Sequence, residues 1–206
     1  MKIVEPAEIE KRSFEIIEKH LGGREFPEGQ RDIIKRVIHT TADFDYADNL
    51  KFSEGAVTAA LTALKGGADI VTDTNMALSG INKKSLSALG GTAHCFMSDS
   101  DVAAAAKSRG VTRAMVSMEK ACRLKKSLIF AVGNAPTALI KLHELISNGK
   151  VKPELIIGVP VGFVNVIEAK KLIMEGETPY IVSKGNKGGS TVAAAICNAL
   201  LYKLKR

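Results

Sequence analysis

The sequence predicts an α/β protein, a doubly wound parallel sheet of five strands with helices on both faces. Three observations predict it. Short runs of β-branched and apolar residues recur without polar alternation, as in strands buried on both sides. Segments with apolar residues at helical spacing separate them. A glycine-rich turn, Lys184-Gly185-Asn186-Lys187-Gly188-Gly189-Ser190-Thr191, joins the last strand to the last helix.

In order, a helical stretch over residues 7–20 is broken by Gly22-Gly23. Pro27 opens a second helix whose Ile33, Ile34, Val37 and Ile38 form one apolar face, ending at His39-Thr40-Thr41. An acidic turn, residues 43–48, follows. A helix over 56–65 leads to a strand at 69–72, and a short helix over 83–89 to a strand at 93–97. Helices over 100–108 and 113–124, the second the longer, precede a strand at 127–132. A helix over 136–147, a strand at 155–159, a helix over 165–174, a strand at 179–183 and a helix over 192–204 complete the chain. Five strands wound this way fit a flavodoxin-like sheet. No repeat, low-complexity segment or linker divides residues 1–206, so one domain is expected.

Composition narrows the function. The 206 residues are 46% hydrophobic and 25% charged, enough for a full core. The net charge of +7 admits acidic ligands or nucleic acid. Aromatics at 5%, with no Trp, argue against stacking of single-stranded nucleic acid. The basic end, Lys203-Leu204-Lys205-Arg206, reads as a helix terminus complementing its dipole. Cys95, Cys122 and Cys197 are far apart and form no CxxC pair, which reads as reduced, packed thiols. No signal core and no membrane-length apolar run are seen, so the expectation is a soluble cytoplasmic protein with no membrane and no nucleic-acid partner.

Ligands of such sheets gather beyond the carboxyl ends of the strands. The residues there are Asp73-Thr74-Asn75-Met76, Ser98-Asp99, Gly133-Asn134-Ala135-Pro136-Thr137, Pro160-Val161-Gly162-Phe163 and residues 184–190. Each alone is ordinary turn chemistry; together on one edge they form a candidate cleft. Gly188, Gly189 and Ser190 at a helix start, flanked by Lys184 and Lys187, make an anion site, because free N–H groups and the positive helix end face the ligand. In Asn134-Ala135-Pro136, the Asn is expected to cap a helix that Pro opens.

Among the four histidines, His94 reads as structural and His20 and His143 as surface residues. His39 closes a helix beside Thr40, Thr41 and Asp43, one turn after Arg36. Two readings stand for it: a helix-end residue without chemistry, or a general acid, since histidine ionises near neutrality. Asp43, Asp45 and Asp48 lack metal-loop spacing and read as a polar turn. Walker A, GxGxxG and GxSxG patterns are all absent, which leads away from ATP, dinucleotides and hydrolysis.

Five ordered motifs carry a family resemblance: residues 36–44 (Arg-Val-Ile-His-Thr-Thr-Ala-Asp-Phe), 73–76 with Gly80-Ile81, 133–139, 160–164 and 187–195. Over residues 7–203 the chain resembles precorrin-8 methylmutase (precorrin isomerase). The resemblance implies an isomerase of cobalamin biosynthesis that moves a methyl group from ring carbon 11 to ring carbon 12 of precorrin-8 or cobalt-precorrin-8. The product is hydrogenobyrinate or cobyrinate. It implies a polyanionic tetrapyrrole substrate, no cofactor, no enzyme-bound metal, and a homodimer with sites near the interface. His39 resembles the family's catalytic histidine, a proton donor to the macrocycle. Arg36, Thr40, Thr74, Met76, Arg113, Asn134, Ala135, Thr137, Val161, Gly162, Phe163, Lys184, Lys187, Gly188, Gly189 and Ser190 are the implied substrate contacts. Asn186 and Ala169 stand where the family often has a basic residue and a serine. A non-catalytic carrier of acidic tetrapyrroles is the alternative, and a nucleotide-binding regulatory domain the more distant one.

Overall fold

The computed structural model describes residues 5–204, the side chains of residues 6 and 7 excepted. Residues 1–4, read above for a missing signal core, and residues 205–206 of the basic end lie outside the described residues. The chain runs α1 (Pro6–Leu21), α2 (Gln30–Thr41), α3 (Tyr46–Asn49), β1 (Leu50–Phe52), α4 (Ala56–Lys65), β2 (Asp69–Thr72), α5 (Asn75–Gly80), α6 (Lys83–Ala88) and β3 (Ala93–His94). It continues α7 (Ser100–Arg109), α8 (Arg113–Ala121), β4 (Leu128–Val132), α9 (Pro136–Ser147), β5 (Leu155–Gly158), α10 (Val166–Met174), β6 (Tyr180–Ser183) and α11 (Ser190–Lys203).

The strands form one sheet in the order β1-β6-β5-β4-β2-β3, in which β2 to β6 are parallel and β1 is antiparallel to β6. Taken alone, the five parallel strands stand in the flavodoxin-like order, second-first-third-fourth-fifth. The expected count of five is corrected to six. β1 pairs Leu50 with Ser183 and Phe52 with Ile181, and of its three residues only Leu50 is buried, too little to write a period into the sequence. The strand expected at 93–97 keeps only Ala93–His94 at the opposite edge. The helix expected to reach 124 stops at Ala121, where Arg123 and Leu124 turn back on Lys120 and Ala121, so α8 is not longer than α7. Helix α5 was not expected; Thr74 caps it by accepting the Ala77 N–H at 3.0 Å.

Alternation along β4 divides the core. Ile129 and Ala131 join the cluster that holds Ile33, Ile34, Leu64 and Ile196, while Leu128, Phe130 and Val132 join Met118, Leu139 and Ile156 on the other face. Helix α11 lies in the first layer with Val192 to Cys197 all buried, because α2, α4, α5 and the sheet surround it. Alanines at this centre permit close approach: a Cβ on Gly80 of α5 would lie 2.8 Å from Ala194 Cβ. Helices α2 and α11 run antiparallel. Lys203, at the end of α11, bonds Asp32 near the start of α2 at 2.5 Å. Lys187, just before α11, reaches Asp43 just after α2 at 2.7 Å. The chain thereby carries the end of α2 to the carboxyl edge of the sheet.

Candidate active site at the carboxyl edge of the sheet

In this strand order the chain leaves β2 for β3 and then returns past it to β4, so the crevice opens between β2 and β4. Asp73 follows β2 there and is fully buried. Its carboxylate accepts the N–H groups of Gly133 (2.8 Å), Asn134 (2.8 Å) and Ala135 (2.6 Å), which follow β4. This corrects the expected cap. Ala135, not Asn134, is the N-cap of α9, and no side chain of its own segment caps it. Asp73 supplies the capping oxygens from a neighbouring strand, leaving Asn134 exposed and available. Burial pushes the Asp73 carboxyl above its ordinary range, and the three amides pull it back only in part.

Thr74 continues the join. Its Oγ1 lies 2.8 Å from Ser190 Oγ, in the first turn of α11. Gly133 makes the approach possible, since a Cβ there would sit 2.7 Å from Ser190 Cα. Gly188 is fitted as tightly, with a would-be Cβ 2.1 Å from the Val159 carbonyl oxygen. The Gly189 N–H donates to that same oxygen at 2.8 Å, and no side chain caps α11. Asn186 Nδ2 donates to the Gly162 carbonyl at 2.6 Å and the Gly162 N–H to the Asn186 carbonyl at 3.2 Å. Asn186 therefore ties two loops of the edge together. Thr112 and Thr137 hydroxyls meet at 2.9 Å, which brings the start of α8, with Arg113, to the start of α9.

The structure thus brings together Thr74, Asn134, Ala135, Thr137, Gly162, Gly188, Gly189 and Ser190. Met76, Val161 and Phe163 stand on the same edge as exposed apolar groups, Phe163 at 92% exposure. Arg113 and Lys184 are exposed, and neither forms an ion pair among the described residues. Lys187 differs: Asp43 and Asp45 hold its ammonium at 2.7 and 2.6 Å and push its pKa well up. Two of the acids read as a polar turn are therefore a latch between the end of α2 and the glycine-rich loop.

His39 lies one turn before that latch. Its Nδ1 is 2.8 Å from Ser13 Oγ of α1 and its ring stacks on Phe14 with centroids 5.1 Å apart. Nε2 has no protein partner among the described residues. The Thr40 hydroxyl donates back to the Arg36 carbonyl at 2.9 Å. Arg36 is not brought to the glycine-rich loop. It pairs with Glu10 and lies over the rings of Phe14 and Tyr202, 4.7 and 5.1 Å from their centroids. Tyr202 is twelve residues beyond Ser190, roughly 18 Å along the helix at 1.5 Å per residue. The reading of residues alone gave no part to Ser13 and Lys170, and placed Asp73 at the cleft without its clamping role. Only Asp73 carried a signal, a carboxylate directly after an apolar strand; Ser13 and Lys170 sit on amphipathic helices where polar residues ordinarily face water. His94 is structural as expected, bonded through Nε2 to Asp69 at 2.9 Å. His20 is exposed, and its ring stacks on Phe44 at 3.8 Å.

Fold and site together define an α/β protein with a crevice at its switch point, an uncapped helix start at its rim and a histidine held on the adjoining helix. Residues 8–203 match the Precorrin-8X methylmutase family, and the chain belongs to it. It is 48% identical to the cobalt-precorrin-8 methylmutase of Salmonella typhimurium over 84% of this chain and 81% of that one. It is 43% identical to that of Priestia megaterium, over 96% and 88%. The solved precorrin-8x methyl mutase from Thermus thermophilus superposes with a TM-score of 0.87 at 39% identity, covering 95% of this chain and 96% of that one. The protein is an isomerase of cobalamin biosynthesis that moves a methyl group, and these relatives do not favour the carrier alternative.

Asp73→Asn tests the join. An amide offers one acceptor oxygen and turns an N–H₂ toward backbone donors. Losing a bond to a charged acceptor costs about 1.5–3 kcal/mol. Amide hydrogens of residues 133–135 should therefore exchange roughly 10- to 100-fold faster, with a parallel fall in turnover. Unchanged exchange would show that Asp73 does not hold the turn.

Proposed function

We propose that the crevice binds cobalt-precorrin-8 and that His39 promotes migration of its methyl group from ring carbon 11 to ring carbon 12. Support for the cobalt form comes from naming among relatives. Those at 48, 44 and 43% identity are cobalt-precorrin-8 methylmutases, and the precorrin-8X methylmutases from Pseudomonas aeruginosa and Sinorhizobium are 37 and 34% identical. Cobalt is here part of the substrate. Residues 1–206 act as one functional unit, and the three free cysteines accord with a cytoplasmic setting. Among the described residues no helix is long and apolar enough to cross a membrane.

The observation that carries the catalytic role is the way the His39 ring is held. With Nδ1 paired to the Ser13 hydroxyl, Nε2 is the nitrogen with no protein partner among the described residues, and in the tautomer in which Ser13 donates it is Nε2 that carries the proton. Stacking on Phe14 fixes the ring plane, so Nε2–H is oriented before substrate arrives. Donated to a ring nitrogen, it stabilises charge that develops as the methyl group shifts, and does so more in the transition state than in the ground state. Arg113 holds a carboxylate in a two-pronged fork. The amide groups of Gly188 and Ser190 and the exposed Lys184 receive others, while the Gly189 amide stays on the Val159 carbonyl, and Phe163, Val161 and Met76 meet the apolar ring face. Thr40 and Lys187 join these contacts, Lys187 by exchanging its aspartates for substrate carboxylate, whereas Arg36, paired with Glu10 beside Tyr202, stands apart from the glycine-rich loop.

His39→Ala should retain the fold and bind product while losing conversion by roughly 100-fold or more. Ser13→Ala should lose less, because it only orients the ring. Single-turnover conversion with a parallel binding titration separates the two effects. Near-normal conversion by His39→Ala would leave distortion of the bound ring as the source of rate.

Raising salt should weaken substrate binding. Lys184→Ala should reduce that salt dependence more than Lys187→Ala, since Lys187 already has counter-ions. Equal affinity in low and high salt would reject electrostatic docking.

A homodimer with sites near its interface fits the exposed Phe163, Val164 and Ile167 beside the crevice. Light scattering at micromolar concentration should report twice the 22.0 kDa chain mass.

A further inference from the structure

Lys170 of α10 is 1% exposed, and its ammonium lies beneath the glycine-rich loop. It donates to the carbonyl oxygens of Gly185 (2.7 Å) and Lys187 (2.9 Å), and Ser183 Oγ donates to the Lys187 oxygen at 2.8 Å. A trans peptide points its carbonyl and the following N–H in opposite directions. With these two carbonyls turned toward α10, the N–H groups of Asn186 and Gly188 point away from it. Neither N–H has a protein acceptor among the described residues.

The charge on Lys170 is equally unusual. No carboxylate pairs with it among the described residues, whereas the other buried lysine, Lys141, is held by Glu144 at 2.6 Å and Glu119 at 3.3 Å. A buried cation without a counter-ion is costly. The charged groups on the packed elements do not supply one. On α10 itself, Lys171 faces Glu175 and Glu168 is exposed. On α9, His143 accompanies the Lys141–Glu144 pair, and β6 brings Tyr180. On the loop, Asp43 and Asp45 are taken by Lys187, and Lys184 is a further cation.

We propose that Lys170 is the positioning residue of the anion loop, holding two peptide units so that Asn186 and Gly188 present N–H groups to a substrate carboxylate, which supplies the counter-charge the buried ammonium lacks. The inference rests on the functional reading above and names a subsite for it. Desolvation supports it by bringing the Lys170 pKa down to about 8. An anion arriving across the loop favours the charged form. Binding should therefore draw a proton onto Lys170 in mildly alkaline solution, a signature that a purely structural lysine would not give.

The experiment is calorimetric titration of the full-length protein with the product, cobyrinate or hydrogenobyrinate, in buffers of different ionisation enthalpy. Wild type should take up a fraction of a proton per site, about one half or less at pH 8, increasing from pH 7 to pH 8.5. Lys170→Met should abolish the uptake, weaken product binding roughly 10- to 100-fold and raise KM more than it lowers kcat. Lys170→Arg, always charged, should recover affinity without uptake. Should Lys170→Met not fold, the wild-type uptake profile decides alone. Wild type that isomerises substrate with no proton uptake, or Lys170→Met with wild-type affinity and uptake, overturns the role of Lys170 and leaves the functional reading intact. Absence of isomerisation by wild type would instead defeat the functional reading.

Discussion

The carboxylate of Asp73 bridging β2 to the turn after β4 is the contact on which the rest of the site depends. A parallel sheet separates the ends of neighbouring strands wherever the chain reverses its direction of winding, and nothing in the ladder itself closes that gap. Three backbone N–H groups on one buried carboxylate close it. A hydrogen bond to a charged group contributes about 1.5–3 kcal/mol net, and burial of the charge works against it. The sign of the balance is visible in the raised pKa of Asp73. An acid whose folded pKa exceeds its unfolded value binds more protons when folded. Its favourable contribution is full below the unfolded value of 3.8 and is lost as pH rises through the folded one. What the carboxylate fixes is the start of α9.

Close backbone approach follows from that anchor. With the turn at 133–135 pinned, Gly133 lies directly against Ser190, and Thr74 meets Ser190 through its hydroxyl. The first turns of α5, α9 and α11 are thus assembled around one point, although they belong to segments more than fifty residues apart. Gly188 repeats the device against the Val159 carbonyl. The first turn of α11 has no side-chain cap in this setting, and a helix start left so is a place where an anion can be received.

The positive charge of the chain is distributed unevenly over this edge. Lys184 is exposed without an ion pair among the described residues, and Lys187 is latched to Asp43 and Asp45. Lys170 is buried with carbonyl partners. The latch has a second consequence: it joins the glycine-rich loop to the end of α2, and so sets the distance between the anion-binding turn and His39. A net charge of +7 brings a polyanion to the protein.

Much of this was legible in the amino-acid sequence. Short runs rich in β-branched and apolar residues at 69–72, 127–132 and 155–159 read as strands covered on both faces, and helical periods between them point to a wound parallel sheet. Their loops, rich in Gly, Asn and Thr, mark the carboxyl edge, and Lys184 to Ser190 mark an anion turn. Local chemistry suffices for such features, because backbone propensity and side-chain period act over a few residues. The three-residue strand β1 escaped since its existence depends on an edge offered by β6, more than a hundred residues later. Capping of α9 by Asp73, orientation of His39 by Ser13, the Lys187 latch and the burial of Lys170 escaped for the same reason. Each is a contact between segments that meet only when the sheet has formed, and a polar residue on an amphipathic helix or in a turn carries no mark of the partner it will find. The sequence by itself determined the class of fold and marked a candidate edge and a candidate histidine. Tertiary structure alone decided which carboxylate clamps, which lysine is free and which is buried, because desolvation and pairing are properties of a place in the fold rather than of a residue type.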